Sequence, residues 1–113
     1  MIKRNTLIKR MEAVVLQDVE HYRNDFYHYD IEWLKDMKPG DVYAWTTRES
    51  GTHLSSSPDY IETILNYYRD GLRSYHIIKR VRGGYELEKI TLDQLRDWIK
   101  ATRARQEREK DAA

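Results

Sequence analysis

Twice in this chain a pair of strand-like runs closes on a short turn and is followed at once by a helix-start signal. That doubled pattern constrains the fold more than any other feature of the sequence. The first unit begins at Val42–Thr47, a β-branched and aromatic run. It turns at Arg48-Glu49-Ser50-Gly51, returns along Thr52–Ser55, and meets Ser57-Pro58. Ser57 is placed to cap a helix, and Pro58 sits at its first position, where a missing N–H costs nothing. The second unit pairs Ser74–Val81 with Tyr85–Ile90 and ends at Thr91-Leu-Asp-Gln94. Threonine followed three residues later by glutamine is a capping box, and Ile90 and Leu95 are spaced as its hydrophobic staple.

The turns set the registers. A four-residue first loop puts Thr47 opposite Thr52 and Trp45 opposite Leu54, so Tyr43, Trp45, Thr47, Thr52 and Leu54 share one face. In the second hairpin a Gly83-Gly84 loop would face Val81 with Glu86. A three-residue loop, Arg82-Gly83-Gly84, gathers Tyr75, Ile77, Val81, Tyr85 and Leu87 on one face instead. The second register is preferred, because one face must be apolar. Lys79 is then the misfit.

Before the hairpins, Ile8, Met11, Val15, Val19, Tyr22 and Phe26 recur at helical spacing, so the periodicity predicts a helix from about Thr6 to about Tyr27, capped by Asn5. Asp30 would cap a short helix through Trp33 and Leu34 that Pro39-Gly40 ends. Ile61, Ile64, Leu65 and Tyr68 are the stripe of the helix after Ser57, and Gly71 is its stop. Leu92, Leu95, Trp98 and Ile99 pack in the last helix. Beyond Ala101 the apolar pattern is lost, and Arg103–Ala113 reads as a frayed or projecting basic tail. At 113 residues the expectation is a single α+β domain, in the order α, short α, ββα, ββα. Its four-stranded, mainly antiparallel sheet would carry the helices on one face.

Composition bears on function. Nine tyrosines and three tryptophans stand against a single phenylalanine, Phe26. Tyr and Trp carry an apolar body and a polar handle, and they are enriched at contact surfaces. The chain has no cysteine, which removes disulfides, thiol nucleophiles and thiolate metal sites. No apolar run approaches the ~20 residues of a membrane span, and the start lacks a secretory pattern. A cytoplasmic protein is expected.

The net charge of +1 hides segregated signs. Asp18 to Asp36 carries six acids against Arg23 and Lys35, whereas Gly71 to Gly84 carries Arg73, Lys79, Arg80 and Arg82 and no acid. Separated signs suit oriented, charge-steered contacts.

The densest feature is the aromatic-acidic stretch from His21 to Trp33. Asp25, Tyr27, Tyr29, Asp30, Glu32 and Trp33 form its candidate partner-binding set, suited to a protein with a basic, grooved face. The same rings would also serve as core-edge caps with their polar ends in water. A nucleic-acid interface is the alternative, built on Lys79, Arg80, Arg82, Arg103 and Arg105, with the Arg80–Gly84 turn open to phosphate. A third alternative is a metal-dependent enzyme. His21, Asp25 and His28 line one helical strip at i, i+4 and i+7 and would ligate a divalent ion, or simply form a solvated flank. Arg48, Glu49, Ser50, His53 and Ser55–Ser57 hold the ingredients of nucleophilic catalysis, which are equally those of a turn and a cap. No cofactor is expected. The leading expectation is a small non-catalytic binding protein acting on a macromolecular partner. The format resembles that of accessory proteins carried by phages and plasmids, including inhibitors of host machinery, and this is a class-level likeness.

Overall fold

The protein is described from a computed structural model covering residues 1–18, 31–49 and 51–112. Helix α1 spans Arg4–Asp18, and a short helical stretch covers 31–34. Strands β1 (Val42–Arg48) and β2 (Gly51–Ser55) follow, then helix α2 (Pro58–Tyr67). Strands β3 (Leu72–Val81) and β4 (Gly84–Ile90) lead into helix α3 (Leu92–Ala112). All four strands form one antiparallel sheet in the order β2-β1-β3-β4. The α+β class and the antiparallel sheet are as the sequence led us to expect.

The layering differs from expectation in one respect: helices cover both sheet faces, not one. Leu7, Met11 and Val15 of α1 pack with Leu34 and Met37 against Trp45, Leu54, Ile78 and Tyr85. On the opposite face Ile61 of α2 and Leu95 and Ile99 of α3 pack against Ala44 and Ile77. A strand buried on both sides reads as a continuous apolar run rather than an alternation. Ile77-Ile78 and the consecutive buried residues Ala44 to Thr47 are that signature.

The second hairpin register changes for the same reason. Val81 pairs with Gly84, Arg80 with Tyr85, Lys79 with Glu86 and Ile78 with Leu87. The loop is Arg82-Gly83, and Gly83 takes the left-handed backbone at φ +85, which glycine adopts without steric cost. Tyr85 and Leu87 therefore share Ile78's face, while Tyr75, Ile77 and Val81 point to the other. Each face has its own core, so no single face had to collect every apolar residue. The first hairpin keeps the expected register, Thr47 to Thr52 and Trp45 to Leu54, and extends it to Arg48 with Gly51.

Helix starts follow local chemistry where neighbours set them. Ser57 Oγ accepts from Tyr60 N at 3.2 Å. Thr91 and Gln94 exchange their capping bonds at 2.8 and 3.1 Å. Helix α1 is the exception: it begins at Arg4, ahead of Asn5. Ile2 is bridged to Tyr85 by two backbone bonds of 2.8 and 2.7 Å, so tertiary pairing delivers the chain into the helix. Its buried stripe runs through Leu7, with Ile8 only flanking. The expected continuation through Val19, Tyr22 and Phe26 lies outside the described residues. Helix α3 continues through the basic segment to Ala112.

Candidate binding surface along β2

Strand β2 is an edge strand, and α2 folds straight back from its end. Two groups of aromatic side chains border it as a result. The first is at its C-terminal end. Trp33 is 45% exposed and lines a recess of about 270 Å³ with Asp36, Tyr43, Ser55 and Ser56. Burial foremost, then the charges of Asp41 and Asp36, push the Tyr43 phenol above its ordinary pKa. An aromatic ring beside carboxylates is thus retained at this end. Glu32 pairs with Lys35 at 3.1 Å. Asp25, Tyr27, Tyr29 and Asp30, the rest of the expected partner-binding set, lie outside the described residues.

The second group stands over the middle of β2. Arg48 Nε donates to His53 Nε2 at 2.9 Å, and its guanidinium lies 4.2 Å over the Tyr68 ring. His53 stacks on Tyr68 with centroids 5.6 Å apart, and its Nδ1 is 3.1 Å from Tyr60 Oη. Tyr67 packs edge-on to Tyr68 at 4.8 Å. Burial, and then the neighbouring Arg48, lower the His53 pKa from 6.5 to about 4. The ring is neutral at physiological pH. The outer members are open: Tyr60 is 41% and Tyr67 78% exposed. A cation–π contact and stacked rings pre-order large side chains, which lowers the entropy lost when a partner lands on them.

The serines of this region have structural duties. Ser55 Oγ accepts from Ser57 N at 2.9 Å, Ser57 caps α2, and Ser50 lies outside the described residues. His53 directs its accepting nitrogen at Arg48, not at a serine. A Ser–His contact does exist elsewhere: Ser74 Oγ sits 2.8 Å from His76 Nε2 and 2.6 Å from Thr47 Oγ1. Ser74 and His76 are each 3% exposed, and His76 packs against Trp45, so this network braces β1 against β3 inside the fold. The i, i+2 spacing of Ser74 and His76 on a strand was its only trace in the sequence.

The five bases of the alternative set are dispersed. Lys79 and Arg80 project to opposite faces of β3 by strand alternation, with Lys79 opposite Glu86. Arg80 stacks over Tyr85. Arg82 is exposed at the turn. Arg103 is held by Asp59 and Glu62 at 2.7 and 2.8 Å, contacts that depress the Glu62 pKa and raise that of Arg103. Arg105 faces Glu109 at 3.9 Å.

The candidate metal ligands His21, Asp25 and His28 lie outside the described residues. Among the described residues no cluster of three ligating side chains occurs, and no helix is long and apolar enough to cross a membrane. Between α2 and α3 runs a groove of about 880 Å³, lined by Leu65, Leu72 and Ile99 and by charges of both signs, including Arg69 and Asp70. No protein-family model, curated protein or solved structure matches this chain.

Proposed function

We propose that this is a non-catalytic binding protein that docks a macromolecular partner on the aromatic surface bordering β2. The observation that carries this reading is the exposure of Tyr60 and Tyr67 around the Arg48–His53–Tyr68 stack. Tyr, Trp and Arg are enriched among the residues that dominate interface energetics, and Tyr and Trp bury large areas with few rotatable bonds. Here the inner rings are already fixed, and the outer ones are exposed. Trp33 and Asp36 extend the surface at the far end of β2.

Affinity capture from the native host, with brief cross-linking, tests it. Wild-type protein should recover a stoichiometric partner, and Tyr60→Ser/Tyr67→Ser should not. Recovery of nothing stoichiometric by the wild type, or equal recovery by both, would refute the reading.

A further inference from the structure

At the opposite edge of the sheet the chain start and the β3–β4 turn enclose a different kind of surface. The Ile2–Tyr85 bridge lays the first residues along β4, so α1 begins beside the turn. Lys3, Arg4, Asn5, Arg80, Gly83 and Gly84 line an open recess of about 330 Å³. Arg82 stands exposed at the adjoining tip. Four bases thus meet from two segments some eighty residues apart in sequence, and among the described residues no carboxylate lines the recess.

Lys3 and Arg80 are held in place, and among the described residues no carboxylate pairs with them. Lys3 Nζ donates to Gly83 O at 3.2 Å. Arg80 donates from one terminal nitrogen to Val81 O and Gly84 O, while its plane rests on Tyr85. Carbonyl partners hold the side chains but carry no net charge, so the field of the cluster remains positive. Asn5 lies in the first turn of α1, where the N–H has no intrahelical acceptor. The recess is shallow and its bases face water, so a lone phosphate would gain little over its hydration. A chain of phosphates engaging several bases at once, each releasing counterions, gains additively.

We propose that this recess docks the phosphate backbone of a nucleic acid. The site stands independently of the β2 surface, and the two lie at opposite sheet edges, which lets the protein hold a partner and a nucleic acid together.

A fluorescence-anisotropy titration with a labelled mixed-sequence 20-nucleotide single strand tests it. Three to four phosphate contacts on a single strand predict an affinity drop of about 20- to 50-fold between 50 mM and 200 mM salt. Arg4→Glu/Arg82→Glu, both exposed and outside the core, should keep the wild-type melting temperature and lose at least tenfold in affinity. Lys100→Glu/Arg105→Glu on α3 changes the net charge equally and should lose far less. Equal losses from the two pairs would overturn the site, as would no binding by wild type at 50 mM salt. Displacement by inorganic phosphate beyond that by chloride at equal ionic strength would make the occupant a free anion and overturn it too. So would binding to anionic lipid vesicles without binding to the oligonucleotide.

Discussion

Acidification through the histidine range should loosen the contact between β2 and α2. The Arg48 guanidinium only donates, so its bond to His53 Nε2 makes that nitrogen an acceptor. The single ring proton then sits on Nδ1 and is donated to Tyr60 Oη. A second proton would have to enter at Nε2, displacing Arg48 and setting two cations against each other. Burial foremost, and then this conflict with Arg48, lower the folded-state pKa to about 4 from an ordinary 6.5. An unfolded chain binds the proton near pH 6.5, whereas the folded chain refuses it until about pH 4. The stability tied to neutral His53 is therefore complete above pH 6.5 and is lost as pH falls from 6.5 through 4. Taken whole, the difference converts to about 3 kcal/mol. His53 is only partly buried, and solvent screening reduces this to roughly 1–2 kcal/mol. Urea unfolding at pH 7 and pH 5 reads it out. Wild type should lose about 1 kcal/mol more than His53→Gln over this range, because glutamine accepts from Arg48 but does not titrate. Identical pH dependence in the two proteins would refute the proposed tautomer and its linkage.

Three further outcomes are expected. Ile78→Ala, at a fully buried site in the α1-side core, should cost about 2–5 kcal/mol, whereas Thr91→Ala should cost about 1 kcal/mol through loss of the α3 cap; chemical denaturation should separate the two. Gly84→Ala would bring its Cβ within 2.5 Å of the Ile2 carbonyl oxygen, so it should prise the chain start from β4 and cost about 1–3 kcal/mol, visible as faster amide exchange at Ile2 and Tyr85. Ser74→Ala removes the shared partner of Thr47 and His76 and should cost about 1–3 kcal/mol by melting or denaturant.

The elements legible in the sequence are those written by near neighbours. Ser57-Pro58 and Thr91 with Gln94 announce their helices because capping is local chemistry. Trp45 and Leu54 find the right register because their hairpin is short. The second hairpin defeats the same reasoning, since choosing between registers required knowing how many faces are covered. Ile77-Ile78 held that information, yet an apolar pair on a strand is read correctly only once both layers are known. The start of α1 was hidden because the Ile2–Tyr85 bridge joins distant segments.

The functional surfaces divide the same way. Arg48 and His53 stand out beside the turn, but Tyr60 and Tyr68 join them only because α2 folds back over β2. Arg80 and Arg82 stand out as a basic hairpin. Lys3 and Arg4 become their neighbours through the same long-range bridge. Arg103 looked like part of a loose tail because its partners, Asp59 and Glu62, lie some forty residues upstream.

A partner docked on the proposed aromatic surface beside β2 would cover Tyr60 and Tyr67. The most direct measurement is hydroxyl-radical footprinting of Tyr60, Tyr67 and Trp33, read by mass spectrometry on the free protein and on the complex captured from the host. All three are exposed in the free protein and should oxidise readily. In the complex Tyr60 and Tyr67 should be protected severalfold, with Trp33 following if the surface extends along β2. Undiminished oxidation of both tyrosines in a stoichiometric complex would contradict the proposed docking, because the partner would then sit elsewhere.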